Sequence, residues 1–266
     1  MDAIVLAGGK LPPEDPASAT VLGALKCLQL VGGRTMVQRS LDALSAARGI
    51  GRVIVVGVPP ETPLACAHPL EVMPAEGDMI RSLQAAAARL VATRAGAPGS
   101  ADGAALVVSA DAPLITGEML EWMRDRALEG GADVTICTVE RSVMEARFPG
   151  AKRTYVRLRD AELCGGDVAA FRLAIADRGV ELAERLVRAR KHPWQIAAIV
   201  GPGTLAALMA GRLTVAQALR ALDARLDLKL NVVISPYAEM AMDVDKPAQL
   251  ALVRAELEAR ELEARG

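Results

Sequence analysis

Short apolar runs alternate with longer amphipathic segments along the first half of the chain. The apolar runs AIVLA, RVIVVGVP, AALVVSAD and ADVTICTV have the length of strands and are rich in branched residues. The segments DMIRSLQAAAARLVATRA and GEMLEWMRDRALEGG have the length and pattern of helices, and Asp78 is a predicted N-cap. Strands that are apolar along their whole length are typical of parallel sheets covered on both faces. The pattern therefore predicts a three-layer α/β/α, Rossmann-like fold with a mostly parallel central sheet.

The second half of the chain has a less regular pattern. The segment KRTYVRLRDAEL alternates as an antiparallel strand or hairpin does, and CGGDVAAF favours a glycine turn before a short apolar run. Helices are predicted at 179–190 and 201–226, with Thr214 as an N-cap, and after Pro247. A short strand is predicted at LNVVISP. Because no internal repeat is visible, we expect one domain over residues 1–266.

Composition narrows the classes of partner. Hydrophobic residues make up 52% of the chain and charged residues 24%, which is typical of a soluble globular protein with ample core material. Only 2% of the residues are aromatic, so binding of nucleic acid on stacking platforms is disfavoured. The net charge of −1 gives no basic excess for a polyanion or an anionic membrane. We expect neither nucleic acid nor a membrane as a partner, whereas a small phosphorylated ligand needs only local positive charge.

The cysteine spacing and the length of the apolar runs bear on the expected cellular location of the protein. None of the four cysteines has the C-x-x-C spacing, so we expect reduced thiols and neither a disulfide framework nor a zinc site. No run of 18 or more apolar residues is present, and the opening apolar run is too short for a signal peptide. We therefore expect a cytoplasmic protein.

Two adjacent glycines, Gly8 and Gly9, follow the first predicted strand. Glycine permits a tight turn from strand to helix. Glycine N–H groups can also approach a phosphate that a side chain would block. The segment matches neither the Walker pattern nor the dinucleotide fingerprint. Both interpretations, a turn and a phosphate site, stay open on these residues alone.

Carboxylates follow two of the predicted extended segments. Asp111 ends AALVVSAD, at the edge where such sheets bind ligands, although an aspartate before Pro113 is also typical of a turn. Asp243 and Asp245 are two residues apart, so an extended chain points both to one face. Asp245 could instead cap the helix that begins at Pro247. Together the two acidic segments offer hard oxygen ligands of the kind that Mg²⁺ prefers.

Lys26 stands between apolar residues in GALKCLQLVGG. Such a lysine either extends its ammonium to solvent along an apolar surface or faces a phosphate. The residues around it leave both interpretations open.

Four segments together resemble a known family. MDAIVLAGGK, ALKCLQLVGGRTMVQRSLDAL, VVSADAPLI and DVDKPAQL occur in that order over nearly the whole chain. They resemble nucleotidyltransferases with the glycosyltransferase-A-like fold, which include sugar-phosphate uridylyltransferases and cytidylyltransferases and the molybdenum-cofactor guanylyltransferase-like proteins. The resemblance implies a magnesium-dependent enzyme that moves a nucleoside monophosphate from a nucleoside triphosphate to a small, phosphorylated acceptor and releases pyrophosphate.

The resemblance also implies roles for individual residues. It predicts a nucleotide-binding half near residues 1–130 and an acceptor-side half near residues 131–266. The implied catalytic residues are Lys26, Asp111 and Asp245, of which Asp111 and Asp245 would hold the metal, with Asp243 as a helper. The implied nucleotide-binding residues are Leu6, Ala7, Gly8, Gly9, Lys10, Lys26, Gly77, Asp78, Arg81 and Asp111. The implied acceptor-binding residues are Arg153, Gly166 and Asp167.

One departure from the family pattern bears on activity. The family loop usually continues from its glycines to an arginine–methionine–glycine stretch, whereas this chain has no arginine there and two acids, Glu14 and Asp15. The cations that would replace the arginine are Lys10, Arg81, Lys152 and Arg153. The missing arginine favours a rival hypothesis, a non-catalytic sensor of a nucleotide or nucleotide sugar. A glycosyltransferase ranks lower because Ser-Ala-Asp stands where an Asp-x-Asp is expected, and a dehydrogenase ranks lowest because the glycine fingerprint fails.

Overall fold

A computed structural model gives the fold of residues 1–11, 21, 24–94, 103–176 and 201–263. The acids Glu14 and Asp15 and the helix predicted at 179–190 lie outside these described residues. The strands of the described part are β1 (Asp2–Leu6), β2 (Leu30–Val31), β3 (Arg34–Thr35), β4 (Val53–Val56), β5 (Leu70–Met73), β6 (Ala104–Ser109), β7 (Val134–Glu140), β8 (Val156–Arg157), β9 (Glu162–Arg172) and β10 (Leu230–Ser235).

The helices are α1 (Met36–Ala46), α2 (Met79–Arg94), α3 (Gly117–Gly130), α4 (Arg141–Arg147), α5 (Pro202–Met209), α6 (Val215–Leu226) and α7 (Pro247–Glu263). Short 3₁₀ turns cover Lys26–Leu28, Leu173–Ile175 and Ala238–Ala241. Within the part of the chain that the structure describes, no helix combines the length and the apolar character needed to cross a membrane.

One sheet runs through both halves of the chain in the order β10-β7-β9-β6-β1-β4-β5, and β8 pairs with β9. Strands β5, β4, β1 and β6 are parallel neighbours, and β10 is parallel to β7. Only β9 runs antiparallel to its neighbours along this path, β6 and β7. The prediction of a mostly parallel sheet is therefore confirmed.

Alternate residues of β1 pack into different layers. Ala3 and Val5 are fully buried in a cluster with residues of α1 and α3. Ile4, between them, is fully buried in a second cluster with residues of α2. Since full burial of a branched side chain stabilises a fold by about 1.5–3 kcal/mol, both faces of the strand need a helical cover. This arrangement confirms the three-layer prediction.

Local hydrogen bonds confirm two predicted helix starts. The carboxylate of Asp78 accepts the N–H groups of Ile80 and Arg81 at 3.0 and 2.9 Å, at the start of α2. The hydroxyl of Thr214 accepts the N–H of Gln217, whose side chain accepts the N–H of Thr214 in return, at the start of α6. Such caps pair backbone donors that have no partner within the helix.

The glycine turn predicted at CGGDVAAF is wrong, because the segment lies inside β9. Between the pairs Ile136–Ala169 and Thr138–Gly165, three residues of β9 face one residue of β7, which makes a bulge. A Cβ on Gly166 would lie 3.0 Å from the carbonyl oxygens of Cys137 and Met240. The glycine is therefore needed for close packing at the bulge and not for turning the chain.

Two further elements differ from the predicted pattern. Strand β5 has only four residues, and the charged Glu71 interrupts its apolar run, so the apolar pattern did not predict it. The single helix predicted at 201–226 is two helices, α5 and α6, separated at Gly211, whose φ of 64° is left-handed. Glycine tolerates that conformation, and it ends the first helix.

Candidate functional site

A cleft of about 200 Å³ opens at the carboxyl ends of β1, β4 and β6. This is the edge at which open α/β sheets bind ligands. The cleft is lined by Leu6, Ala7, Gly8, Gly9, Val56, Ala75, Gly77, Asp78, Met79, Ser82, Ser109 and Asp111.

The glycine loop, residues 7–9, forms one wall of this cleft. The N–H of Ala7 donates to the carbonyl of Val56 at 2.9 Å, and the carbonyl of Gly9 accepts the N–H of Lys26 at 2.8 Å. Within the described residues, no backbone carbonyl accepts the N–H of Gly8 or of Gly9. The loop is thus anchored on both sides while two exposed donors stay available to a ligand.

The start of α2 forms the opposite wall. Gly77 has a left-handed φ of 76°, and the N–H of Glu76 donates to the hydroxyl of Ser82 at 3.0 Å. The carboxylate of Asp78 is already paired with two N–H groups of α2, so its role in the structure is that of a cap. The rest of this wall is lined by Ala75, Gly77, Met79 and Ser82.

Three carboxylates from distant parts of the chain converge beside the cleft. Oxygen atoms of Asp111, Asp243 and Asp245 all lie within 4.8 Å of one another. A backbone hydrogen bond brings the two segments together, because the N–H of Val244 donates to the carbonyl of Asp111 at 2.9 Å. The side-chain carbonyl of Gln249, in α7, accepts the N–H of Asp245 at 2.9 Å and fixes the end of this segment.

Lys26 connects two of these acids. Its ammonium forms ion pairs with Asp111 and, at 2.6 Å, with Asp245, and its side chain is only 13% exposed. Burial alone would lower the pKa of Lys26, but the charges of Asp111 and Asp245 outweigh it and raise the pKa. The hydroxyl of Ser109 donates to the other oxygen of Asp111. Lys26 is thus a charged group of the site and not a solvent-facing lysine.

The side chains also decide between the two interpretations of the acids. The carboxylates of Asp111 and Asp245 both point to Lys26, and Ser109 adds a second bond to Asp111. Among the described residues, the carboxylate of Asp245 accepts a hydrogen bond from Lys26 and none from the N–H groups at the start of α7. Neither acid therefore serves only as a turn or cap residue.

Arg153 joins the third acid to the second half of the sheet. Its guanidinium forms an ion pair with Asp243 and donates to the carbonyl of Gly165 at 3.2 Å. The side chains of Arg153 and Asp243 are 14% and 15% exposed. Because the pair is mostly shielded from water, its charges attract each other more strongly than those of a surface pair.

Asp167 is the least satisfied acid of the region. One of its carboxylate oxygens is buried and has no hydrogen-bond partner among the described residues. Burial, with a smaller contribution from Asp111 and Asp245, raises the pKa of Asp167 to about 8 although Arg153 and Lys26 oppose the shift. The hydroxyl of Tyr155 is a second buried atom without a partner in the described part. Unpaired buried polar atoms are costly, and they often mark functional positions.

The predicted site residues fall into four groups by position. Those that line the cleft are Leu6, Ala7, Gly8, Gly9, Gly77, Asp78 and Asp111. Lys26, Asp243 and Asp245 lie beside it in the acidic cluster, and Arg153, Gly166 and Asp167 lie on or against β9. Lys10 pairs through its backbone with Leu25, and Arg81 lies in the first turn of α2; neither lines the cleft. The role of each residue toward a ligand stays a prediction.

Several residues of the site were not predicted. The unpredicted lining residues are Val56, Ala75, Met79, Ser82 and Ser109. Ser109 had a signal in the sequence, because it stands two residues before Asp111 on the same strand end. Ser82 had a weaker one, four residues after the cap Asp78 and hence one helical turn away. The others line the cleft because of where strands β4 and β5 end, which only the fold shows.

Comparisons with known proteins are consistent with this geometry. A family model described as the MobA-like NTP transferase domain matches residues 3–239. A solved structure of a hypothetical transferase from Thermus thermophilus is 32% identical and superposes with a TM-score of 0.79, covering 94% of this chain and 98% of its own. No curated protein sequence matches the chain significantly.

Two more distant structures share the fold alone. One is 2-C-methyl-D-erythritol 4-phosphate cytidylyltransferase, also from Thermus thermophilus, with 16% identity and a TM-score of 0.51 over 96% of this chain and 98% of its own. The other is CMP:2-keto-3-deoxy-manno-octonic acid synthetase in complex with CTP, with 17% identity and a TM-score of 0.53 over 98% and 99%.

Proposed function

This chain belongs to the family of MobA-like NTP transferase domains, and from that premise we propose that it moves a nucleoside monophosphate from a nucleoside triphosphate to a small acceptor, with release of pyrophosphate. The observation that supports this most is the convergence of Asp111 and Asp245 on Lys26, next to a glycine loop with free N–H donors. Nucleotidyl transfer needs charge neutralisation and alignment and no covalent help from the protein.

The acidic cluster has the donors that a magnesium ion requires. Three carboxylates offer oxygen atoms within 4.8 Å of one another, and Mg²⁺ is usually held by one or two carboxylates together with phosphates and water. We assign the metal to Asp111 and Asp245, because these two carboxylates already converge on one shared cation, Lys26, whereas Asp243 faces a different cation, Arg153. When bound, the ion would neutralise negative charge on the phosphates and on the group that leaves.

The chain's own groups would bind and orient the triphosphate. The N–H groups of Gly8 and Gly9 would donate to phosphate oxygens, because they have no other partner in the described backbone. The side chain of Lys26 passes Gly9, whose Cβ position lies 3.8 Å from the lysine Cε. We therefore expect the lysine ammonium to stabilise charge on the leaving pyrophosphate.

We place the acceptor on the side of β9, where Arg153, Gly166 and Asp167 lie. A phosphorylated acceptor would compete with Asp243 for the guanidinium of Arg153, whose fork suits phosphate oxygens. The unpaired oxygen of Asp167 would accept or donate a hydrogen bond to the acceptor in the same region. The exposed Lys152 adds positive charge next to Arg153.

The missing loop arginine favours a second candidate function. A non-catalytic sensor would bind a nucleotide or nucleotide sugar in the same cleft but would release no pyrophosphate. No arginine occurs between Gly9 and Lys26. Among the described residues from 7 to 26, Lys26 is the one cation that pairs with the acidic cluster.

Calorimetric titration with ATP, CTP, GTP and UTP tests the proposal. We expect at least one triphosphate to bind at least about tenfold more tightly with Mg²⁺ than with EDTA, because two carboxylates repel the phosphates until a cation neutralises them. Equal affinity in both buffers would contradict the metal assignment. Pyrophosphate release from the bound triphosphate in the presence of small-molecule acceptors then separates an enzyme from a sensor.

A further inference from the structure

Gly57 follows β4 and contacts the backbone of the glycine loop. A Cβ at this position would lie 2.6 Å from Cα of Gly8 and 3.0 Å from the carbonyl carbon of Ala7, and closer still to the amide nitrogen of Gly8. Backbone atoms cannot rotate away as the end of a flexible side chain can. Any side chain at Gly57 therefore requires the loop or Gly57 itself to move.

Hydrogen bonds to both neighbouring strands hold Gly57 in place. Its N–H donates to the carbonyl of Met73, in β5, at 2.9 Å. On the other side, the preceding residue, Val56, accepts the N–H of Ala7 at 2.9 Å. Gly57 itself is buried and has a left-handed φ of 113°. Because β5 fixes Gly57 from behind, the glycine loop is the part that would move.

We propose that Gly57 is a positioning residue for the nucleotide: its bare Cα is the surface on which the glycine loop rests, and it sets where the N–H groups of Gly8 and Gly9 meet the phosphates. The inference rests on the proposed function, because that function assigns a triphosphate to the loop. Gly57 does not line the cleft itself, so it acts through Gly8.

The position of Gly57 in the sheet predicts which kinetic constant it affects. Gly57 follows β4, whereas Asp111 follows β6, on the other side of β1. A displaced glycine loop would weaken contacts with the triphosphate but leave the acidic cluster in place. We therefore expect Gly57→Ala to raise KM for the triphosphate at least about tenfold, since small displacements of positioning groups have effects of that size or larger. We expect kcat to change by less than about threefold, as for a loss of uniform binding.

Gly33 provides a matched control. It also has a left-handed φ, 73°, in the turn between β2 and β3, but nothing lies within 4 Å of its Cβ position. Gly33→Ala therefore carries the same kind of backbone penalty without pressing on a neighbour. Comparison of the two variants separates backbone strain from displacement of the loop.

The test uses the full chain as wild type, Gly57→Ala and Gly33→Ala. Thermal melts measure stability, titration with Mg²⁺ and each triphosphate measures affinity, and amide hydrogen exchange without ligand measures the loop. We expect faster exchange of the N–H of Ala7, which donates to Val56 in the wild type, and at least about tenfold weaker triphosphate binding in Gly57→Ala alone. Triphosphate affinity equal to that of Gly33→Ala, or exchange of the Ala7 N–H that is unchanged in Gly57→Ala, would overturn the inference.

Hydrogen exchange of the wild type covers the case in which Gly57→Ala does not fold. We expect the N–H of Gly57 to be protected, those of Gly8 and Gly9 to exchange fast, and only the latter two to slow when triphosphate is added. Fast exchange at Gly57 would overturn the inference, because the support would not be rigid. A wild type that binds no triphosphate would instead overturn the proposed function, whatever the exchange at Gly57.

Discussion

The two sides of the candidate site differ in how much backbone and how many polar side chains they present. On the side proposed for the nucleotide, the parallel strands β1, β4 and β6 end at a cleft whose walls include bare backbone at Gly8, Gly9 and Gly77. On the acceptor side, the antiparallel β9 brings polar side chains together, with an ion pair between Arg153 and Asp243 and an unpaired oxygen on Asp167. The backbone parts of the cleft are preformed and change only when the chain itself is displaced, whereas side-chain contacts must be exchanged when a substrate binds. Substitutions on the two sides should therefore have separable effects.

The acidic cluster lies where the two sides meet, and its charge explains why it should need a cation. Three carboxylates face two cations, Lys26 and Arg153, so the cluster has one negative charge in excess. Lys26 and Asp111 come from the first half of the chain, and the remaining members come from the second. Changes at Asp111, Asp245 or Lys26, where the two sides meet, should have the largest effects.

The largest expected effect follows from Asp111→Asn. The amide keeps the size and the bond from Ser109 but removes the charge that would hold the metal. We expect turnover to fall at least about a hundredfold, the usual size when a key electrostatic group is lost, with little change in stability. Pyrophosphate release measures turnover, and electron paramagnetic resonance of Mn²⁺ measures the metal directly without an acceptor.

Asp125→Asn is the matched control for this variant. Asp125 lies on α3, is 51% exposed and forms an ion pair with the neighbouring Arg124, so its loss should change neither readout. Undiminished Mn²⁺ binding by Asp111→Asn would mean that the metal, if bound, lies elsewhere, and the acidic cluster would lose its proposed role.

Lys26→Gln should have the second largest effect. It leaves Asp111 and Asp245 without their shared cation, so we expect a loss of about 2 kcal/mol in the free energy of unfolding in EDTA. Addition of Mg²⁺ should raise Tm more in the variant than in the wild type, because the ion would then neutralise both acids. We expect triphosphate affinity to fall at least about tenfold, the equivalent of about 1.4 kcal/mol.

Lys229→Gln controls for the loss of a lysine. Lys229 is exposed and precedes β10, at the opposite edge of the sheet from the cleft. Melting curves and triphosphate titrations of both variants, each with Mg²⁺ and with EDTA, provide the comparison. An equal Mg²⁺ response in Lys26→Gln and wild type would show that the lysine and the ion do not act on the same carboxylates.

Arg153→Met tests whether the acceptor side is separate. Since Arg153 contacts Asp243 and β9 and does not line the cleft, we expect triphosphate affinity to stay within about threefold. The apparent KM for the acceptor should rise about tenfold, the size expected for one charge-assisted contact. The control is Arg157→Met, because Arg157 is 73% exposed and pairs at the surface with Glu162. A loss of triphosphate affinity as large as that of Lys26→Gln would contradict the division into two sides.

The sequence predicted the nucleotide side better than the acceptor side, for a physical reason. Parallel strands such as β1 and β6 are apolar along their whole length, so their ends, and with them Gly8 and Asp111, can be located from the pattern. The pairing of Asp111 with Asp245 depends on a backbone bond over more than a hundred residues, from Val244 to Asp111, which no local pattern contains. The resemblance to known motifs supplied that pairing.

On the acceptor side, local pattern was misleading. Two glycines inside CGGDVAAF favour a turn, but Gly166 is small because Cys137 and Met240 pack against its backbone. Asp167 is polar in a strand interior, and its burial depends on elements that come from several parts of the chain. The contact between Gly57 and the glycine loop was also missed, because it joins the ends of two strands that are far apart in the sequence.

The smallest expected effect is a pH-dependent change in stability from Asp167→Asn. The pKa of Asp167 is about 8 in the folded protein, because of burial and the charges of Asp111 and Asp245 and against those of Arg153 and Lys26. An unfolded aspartate has a pKa of about 4, so between these values the folded state holds a proton that the unfolded state has lost. Stability should therefore fall as the pH rises from about 4 to 8.

Asparagine is neutral throughout this window, so the variant should lack that decline. We expect Tm of Asp167→Asn to match the wild type near pH 5 and to exceed it by several degrees near pH 9, while Asp125→Asn follows the wild type at both. Melting curves at several pH values measure the difference. If Tm of Asp167→Asn and of the wild type depended on pH in the same way, Asp167 would be ionised in the folded protein. The side proposed for the acceptor would then not contain a buried, uncharged acid.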